Sequence, residues 1–386
     1  MNQKEVGELR RRFSPDRNAV SRIYGCYVNG SGEIISCIDQ SLGTMPLEES
    51  EAYLGLFKKS LSGAVGRSLI DISFSTAQVM DSDEHRLLSA LRDSALQDDE
   101  TRQAFFRKVI DSLDMDGANY LILLAHDRYD VPFRGGDGET LPDSGDEVFS
   151  YILCCICPVK DGKAALGYSS GDNGFHRLAA SQIVAAPELG FLFPAFDNRT
   201  ANLYSVLFYS RDADKLHREF IDGVFRTEPP LSAAEQKESF QTALGEALDN
   251  ACSLDVVQSV HEQLCEKIEL HRESRDPEPL TLTAQDVGCI LQDCGVEQEH
   301  VAAFCEKCDE QFGPSAALSP QNLIDSKRFE VKTTDVTITV TPESSYLLET
   351  RIIGGRPYLL VPVGDGIEVN GLPVGIRLPE QENQPV

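Results

Sequence analysis

The sequence has little of several features that would point to a particular class of protein. No stretch approaches the roughly 20 consecutive apolar residues that a membrane-spanning helix needs. The first residues, MNQKEVGELRRRF, carry charge but no apolar core behind it. We therefore expect neither a membrane span nor a secretory signal. Tryptophan is missing altogether, which by itself decides little.

Basic residues are also in short supply. The chain has 35 Lys and Arg against 62 Asp and Glu, which gives a formal net charge of −27. Nucleic-acid binding draws its affinity from clustered Lys and Arg, so this balance disfavours direct binding to nucleic acid and equally to an anionic membrane surface. Solubility and colloidal stability are the simplest explanation of the acidity.

The cysteine content does not have the pattern of a disulfide framework. The eleven cysteines are an odd number spread over a chain of 386 residues. Disulfide scaffolds are short secreted chains with even numbers of cysteines. We therefore expect free thiols in a reducing compartment, which predicts a cytoplasmic protein.

Hydrophobic residues make up 41% of the chain, and its length is enough for two or three cores of ordinary size. Strand-like and helix-like patterns alternate first, then helical patterns dominate, and short strands with glycine turns follow. We predict an α+β fold with a mixed or mainly antiparallel sheet and flanking helices. The predicted parts are a core domain at 1–226, a helical segment at 227–327, a small C-terminal antiparallel β unit at 328–376 and a disordered tail at 377–386.

The stretch Pro187–Asp212 predicts a buried β-hairpin at the centre of the core domain. Its first run, Leu189–Phe196, is apolar on both faces of a strand, which is typical of a strand covered on both sides. A polar turn at Asp197–Thr200 leads to a second apolar run, Leu203–Tyr209. Pro194 cannot donate to a strand ladder, so we expect a bulge or an edge position there.

The N-terminal segment predicts a short helix that ends before Ser14 and Pro15. Three arginines, Arg10, Arg11 and Arg12, fall in its last turn, where cations interact favourably with the helix dipole. A docking patch is the alternative interpretation of this triplet.

Charged residues near the ends of the buried strands are the candidate catalytic set. Asp127 and Asp130 follow the apolar run YLILLA, and Asp197 and Arg199 lie in the turn of the central hairpin. Active sites tend to collect at such places, but every sheet also meets water there. The chain has no dinucleotide fingerprint, nucleophile elbow or kinase motif. The pattern predicts no bound cofactor.

Four cysteines are the candidate metal ligands, and two of them have the C-x-x-C spacing typical of zinc sites. Both members of that pair fall on the apolar stripe of a predicted helix at Glu297–Phe312, whereas zinc usually binds cysteine pairs on turns. The pattern therefore favours buried thiols over a metal site. The four candidates are Cys289, Cys294, Cys305 and Cys308.

Seven phrases of the sequence are long enough to carry a family resemblance. They are RRRF (10–13), DISFST (71–76), NYLILL (119–124), ELGFLFPAFD (188–197), VVQSVHEQLCE (256–266), SPQNLID (319–325) and FEVKT (329–333). Together they resemble an uncharacterised bacterial family that is catalogued only as a domain of unknown function, from about Asn2 to about Val374. The resemblance implies a bacterial cytoplasmic protein and carries no activity, cofactor or catalytic residues with it.

Because no catalytic motif is present, we expect an interaction or regulatory protein without catalysis of its own, which acts on protein partners. One alternative is a hydrolase-type enzyme that uses Asp127, Asp130, Asp197 and Arg199, with or without a divalent metal. Another alternative is a translation- or ribosome-associated factor, which would need a basic face despite the acidic total.

Overall fold

The computed structural model describes residues 1–134, 140–141, 148–162, 165–169, 171, 173–178, 182–363 and 366–375. The chain forms two compact units. The first contains Met1–Glu238 and the short segment Arg275–Leu280, and the second contains Ser239–Ser274 and the chain from Thr281 onward. The domain boundaries predicted from the sequence stay predictions, and the predicted tail at 377–386 lies outside the described residues.

The first unit is built on an eight-stranded antiparallel sheet, accompanied by separate two-stranded hairpins. This architecture confirms the predicted α+β class. The strands of the unit are β1 (Arg22–Val28), β2 (Ile34–Ser41), β3 (Leu69–Ser73), β4 (Asn119–Asp130), β5 (Phe133–Arg134), β6 (Thr140–Leu141), β7 (Val148–Asp161), β8 (Ala165–Ser169), β9 (Gly174–Leu178), β10 (Gln182–Val184), β11 (Leu189–Phe193), β12 (Ala195–Asp197), β13 (Thr200–Asn202) and β14 (Ser205–Ser210).

The order of strands in the sheet is β2–β1–β4–β7–β11–β14–β3, and β10 pairs with the end of β7. The two longest strands, β4 and β7, lie side by side at the middle, and their register runs from Asn119 opposite Val159 to Asp130 opposite Val148. Because both strands are long, the pair extends beyond its neighbours. Residues near Asp130 therefore lie at one end of the sheet.

Helices cover both faces of the sheet. One face packs against α4, α5 and α6, and the other packs against α1 and α2, so the unit has three layers. Continuous apolar strands need this double cover. The helices of the unit are α1 (Gln3–Arg12), α2 (Leu47–Ser60), α3 (Thr76–Asp81), α4 (Asp83–Asp93), α5 (Asp99–Asp111) and α6 (Arg218–Phe225).

Side chains of β7 alternate between the two faces. Cys154 belongs to the core under α4–α6, whereas Cys155 and Cys157 belong to the core under α1 and α2. This confirms the alternation expected of a strand. On the neighbouring strand, a Cβ added at Gly190 would lie 2.5 Å from the carbonyl oxygen of Cys154 and 3.2 Å from the Cβ of Ser60. Glycine at this position thus lets the end of α2 approach the sheet closely.

The central hairpin forms as predicted, but its first run is two strands. Leu189–Phe193 is β11, between β7 and β14 in the main sheet, and Ala195–Asp197 is β12, which pairs with β13. The residue between them is Pro194, which has no N–H to donate to either ladder. The proline therefore ends a central strand and does not mark an edge strand.

The second unit begins with helices around a core of its own. Two of them, α9 and α10, form a helical hairpin closed at Gly295 with a φ of +83°. Its second helix agrees with the helix predicted at Glu297–Phe312. The helices of the second unit, one of which begins in the first unit, are α7 (Ala233–Leu248), α8 (Leu254–Ser274), α9 (Ala284–Asp293), α10 (Gln298–Phe312) and α11 (Pro320–Leu323).

Three separate antiparallel hairpins follow these helices, in agreement with the predicted small C-terminal β unit. Within the described residues, no helix combines the length and apolar character required to cross a bilayer. The strands of the hairpins are β15 (Phe329–Lys332), β16 (Thr337–Val340), β17 (Glu349–Ile353), β18 (Arg356–Leu360), β19 (Ile367–Val369) and β20 (Leu372–Val374).

Candidate functional site

Asp127 lies on β4 and accepts three hydrogen bonds from two side chains. The Nε and Nη2 of Arg12 donate to its two carboxylate oxygens at 2.5 and 2.9 Å, and the hydroxyl of Tyr151 donates at 2.8 Å. Tyr151 is directly opposite Asp127 on β7. Only 1% of the Asp127 side chain is exposed. A buried carboxylate needs such partners, and the bidentate contact fixes the orientation of Arg12.

Arg12 is the last residue of α1, where a cation is favourable to the helix dipole. Its guanidinium carbon lies 4.4 Å from the centre of the Tyr129 ring, a cation–π contact. Burial by itself would lower the pKa of Arg12, but the hydrogen bonds and charge of Asp127 outweigh it, and the pKa is raised. Arg12 therefore stays charged while it is largely enclosed by protein.

Arg199 provides a second guanidinium held in place by its neighbours. It lies in the turn after β12, where Asn198 and Arg199 have left-handed φ values of 50° and 62°. Its Nη1 donates to Glu8 at 2.7 Å, and its Nη2 donates to the carbonyl oxygen of Pro132 at 2.7 Å. These contacts hold the side chain against α1.

Glu8 joins the two fixed arginines through Tyr129. It accepts a hydrogen bond from the Tyr129 hydroxyl at 2.5 Å in addition to that from Arg199. Burial and the hydrogen bond to Glu8 raise the pKa of Tyr129 to about 12. The phenol therefore stays protonated at neutral pH and acts as a donor to Glu8, below the guanidinium of Arg12.

Glu8, Arg12, Tyr129 and Arg199 border a cleft of about 400 Å³. Its lining contains four arginines and one glutamate, which is a net formal charge of +3 on a chain whose total is −27. Arg11 and Arg17 are exposed, and their guanidinium groups have no partner among the described residues. We call this the arginine cleft. Its lining residues are Glu8, Arg11, Arg12, Arg17, Tyr129, Pro132 and Arg199.

Of the four predicted catalytic residues, Arg199 lines this cleft, whereas Asp127, Asp130 and Asp197 do not. Asp127 is connected to the lining through its hydrogen bonds with Arg12. Asp130 is exposed at the end of β4. Asp197 accepts a weak hydrogen bond from Asn202 at 3.4 Å and lies 3.8 Å from the Met1 ammonium. The structure thus brings Asp127 and Arg199 to one site through Arg12, Glu8 and Tyr129, whereas Asp130 and Asp197 lie apart from it.

The chain matches the model of a known family. The family model described as a domain of unknown function (DUF4317) matches residues 1–372. The chain belongs to this family. The resemblance predicted from the sequence is therefore confirmed over nearly the whole chain. No curated protein matches it.

The four candidate zinc cysteines of this DUF4317 protein lie in the hairpin of α9 and α10. Cys308 is buried, and burial raises its pKa to about 12, which keeps the thiol protonated. Cys289 is exposed, whereas Cys294 and Cys305 are half-buried, and the Cys305 thiol donates to the carbonyl oxygen of Ala284 at 3.6 Å. In the part of the chain that the structure describes, no group of three or more His, Cys, Asp or Glu is placed to hold a metal ion.

Several cleft residues were not singled out from the sequence. Glu8, Arg17 and Tyr129 carry no motif, and α1 reaches Tyr129 only through the packing of the whole layer. The available signal was the arginine triplet, for which a docking patch was the alternative interpretation. The structure shows that its members differ: Arg12 is fixed to Asp127, Arg11 lines the cleft, and Arg10 does not line it.

Proposed function

We propose that this protein is a bacterial cytoplasmic interaction or regulatory protein without catalysis of its own, and that its arginine cleft binds an anionic group of its partner. The single observation behind this proposal is the lining of the cleft. Four guanidinium groups converge there, two of them held rigidly. Guanidinium forks match carboxylate and phosphate oxygens in geometry and in charge.

The state of the candidate catalytic groups also favours binding over chemistry. Asp127 is almost fully enclosed, and its oxygens already accept hydrogen bonds from Arg12 and Tyr151. A general base needs a free oxygen within reach of the proton that it takes. We infer that Asp127 positions Arg12 and does not react itself.

The two alternatives have less support. A hydrolase-type site would have to bring Asp130 and Asp197 together with Asp127 and Arg199, but neither of those two aspartates lines the cleft. A translation- or ribosome-associated factor needs an extended basic face for phosphate backbones. The arginine cleft is a local basic surface of four residues, so it suits one anionic group better than a nucleic-acid strand.

The proposal can be tested by affinity capture from cells of the source organism, with quantitative mass spectrometry. The cleft variant is R11E/R17E, and the matched control is K4E/R10E. Lys4 and Arg10 are exposed on α1 and outside the cleft, so the change in charge is the same. We expect wild type and control to capture the same partner, and the cleft variant to lose at least about nine-tenths of it, as expected when charge-assisted hydrogen bonds are removed.

Equal capture by all three proteins would show that the cleft is not the interaction surface. A substrate converted by purified wild type and not by R11E/R17E would replace the proposal with a catalytic one.

A further inference from the structure

The charges around the arginine cleft do not balance one another. Arg12 is paired with Asp127 and Arg199 is paired with Glu8. The other two arginines of the lining, Arg11 and Arg17, have no such partner among the described residues. Among the described residues, these two pairs cancel and two cations remain, which leaves a formal charge of +2 at the site.

We infer that the cleft is a binding site for a phosphate monoester, a chemical class that nothing in the family description assigns to it. This inference rests on the proposed function and specifies its ligand. A phosphate monoester carries a charge of about −1.5 to −2 at pH 7 and three acceptor oxygens. A carboxylate carries a single charge and would leave one of the two free arginines unmatched.

The two free arginines reach the cleft from different local structures. Arg11 is in the last turn of α1, and Arg17 ends the 3₁₀ turn Pro15–Arg17 that follows it. Ser14, between them, accepts a hydrogen bond from Lys58 at 3.1 Å, which joins the segment between Arg11 and Arg17 to α2. The fold of this short segment therefore sets the backbone positions of Arg11 and Arg17 relative to each other.

The backbone near the cleft does not itself attract anions. The segment at its rim includes the C-terminal end of α1, which is the negative end of the helix dipole. Phosphate sites at helix N-termini use backbone N–H groups and the positive end of the dipole, and α1 presents its opposite end here. Recognition has to come from the side chains, which makes the site sensitive to single substitutions of arginine.

The size of the cleft fits a phosphate group together with the group that bears it. Small-molecule sites occupy roughly 300–1,000 Å³, and this cleft is about 400 Å³. The ring of Tyr129 and the ring of Pro132 provide apolar wall beside the guanidinium groups. The ester group of the ligand can pack on that wall while its phosphate oxygens meet Arg11 and Arg17.

Isothermal titration calorimetry on the full chain at low ionic strength tests this inference directly. The probes are inorganic phosphate, sulfate, acetate, phosphoserine and serine. In both amino acids the amino and carboxyl groups are blocked, so that the phosphate is the only charged group of the phosphoserine probe. We expect phosphate, phosphoserine and sulfate to bind, acetate to bind at least about tenfold more weakly, and blocked serine not to bind. One charge-assisted contact corresponds to about tenfold or more in affinity.

The variants R11Q/R17Q and K4Q/R10Q compare the cleft with the exposed face of the same helix. R11Q/R17Q should weaken phosphoserine binding by about tenfold or more, whereas K4Q/R10Q should change it less than about twofold. R11K/R17K keeps the positive charge but removes the planar guanidinium groups. We expect its loss of affinity to be smaller than that of R11Q/R17Q and larger than that of K4Q/R10Q. Equal affinities for acetate and phosphate, or an unchanged affinity in R11Q/R17Q, would overturn the inference.

The pH dependence of binding distinguishes protonation of the ligand from changes in the protein. The second pKa of a phosphate monoester is about 6, so its binding should weaken between pH 7 and pH 5, whereas sulfate keeps its charge over this range. The sulfate titration over the same pH range corrects for any change in the protein. A parallel fall of phosphate and sulfate binding would contradict the assignment to the phosphate dianion.

The outcomes for the inference and for the proposed function are distinct. Phosphoserine binding without loss of a captured partner in R11E/R17E would support the site and reject the interaction role. A partner lost in R11E/R17E whose capture survives phosphatase treatment would keep the interaction role and reject the phosphate.

Discussion

Strand β11 in the first unit and strand β17 in the second are each five residues long, and each pairs with an antiparallel neighbour. Every residue of β11 is buried, whereas every residue of β17 is exposed. The first strand has helices over both faces of its sheet. The second belongs to a two-stranded hairpin whose apolar residues Ile352 and Ile353 face solvent.

The comparison shows that two strands of equal length, each with an antiparallel partner, can contribute very different amounts to stability. Both strands contain β-branched or aromatic residues, the types that are enriched in strands. Burial of β11 contributes hydrophobic free energy to the first unit, because its side chains leave water. An isolated two-stranded hairpin is at best marginally stable. The free energy of unfolding should therefore respond strongly to changes in β11 and weakly to changes in β17.

The largest effect is expected from Phe191→Ala. Phe191 is 0% exposed, and its ring lies 5.1 Å from that of Phe225 and 6.0 Å from that of Phe105. Truncation leaves a cavity and removes these contacts, so the first unit should lose about 3–5 kcal/mol. Hydrogen exchange of the β11 amides, read by mass spectrometry, measures this loss for the first unit alone.

If Phe191→Ala changed the exchange of β11 by less than about 1 kcal/mol, this core would not be packed as described. Exchange in α9 and α10 serves as an internal control, because these helices belong to the other compact unit.

A smaller effect is expected from pH, through His126 on β4. Burial lowers the pKa of His126 below its ordinary value of 6.5; Asp127 opposes this shift, and Arg128 and Arg92 add to it. Above pH 6.5 the imidazole is neutral in both the folded and the unfolded chain. As pH falls through 6.5, the unfolded chain binds the proton first, so stability is lost until the folded pKa is reached.

The amides of β4 should therefore exchange faster at pH 5.5 than at pH 7.5, after correction for the intrinsic exchange rate. His126→Gln keeps a polar group near the Ser150 hydroxyl, which is 2.9 Å from the imidazole Nε2, but it cannot titrate. This variant should show a shallower pH dependence than wild type. An identical slope would mean that His126 is not the responsible group.

The smallest effect is expected from Ile352→Ala on β17. Ile352 is 78% exposed, so its truncation removes little buried apolar area. The change in the free energy of unfolding should stay within about 0.5 kcal/mol, the usual range for surface substitutions. A larger destabilisation, or a change of mass in light scattering, would show that this hairpin is covered in solution and would remove the contrast with β11.

Much of the fold could be predicted from the sequence, because local pattern and local structure agree. The run ETRII followed by Gly-Gly is typical of a strand and its turn, and it forms β17 at 349–353. Ser232 followed three residues later by Glu235 is typical of a capping box, and both of its hydrogen bonds are present. These features depend on turn geometry and capping, which neighbouring residues determine.

The beginning of α6 shows where local pattern is insufficient. The sequence predicts a helix over Ala213–Phe225, but α6 starts at Arg218, since His217 has a left-handed φ of 49°. That conformation is held by the packing of Leu216 and Phe220 in the core, not by a signal in the nearby residues.

The arginine cleft could be predicted only in part. Asp127 and Arg199 were identified because they follow apolar runs. Their partners are far away in sequence, since Arg12 and Asp127 are 115 positions apart. A single sequence contains no information that pairs a given arginine with a given aspartate across such a distance, and the free charges of Arg11 and Arg17 follow only from knowing which other charges are paired.

The discontinuity of the first unit has a consequence for how the protein is made. The segment Arg275–Leu280 meets α1, where Pro277 accepts a hydrogen bond from Gln3 at 3.1 Å and Glu278 accepts one from Asn2 at 2.9 Å. A nascent chain emerges from its N-terminus, so α8 of the second unit is synthesised before these contacts can form. The first unit therefore cannot be completed until α8 of the second unit has been synthesised.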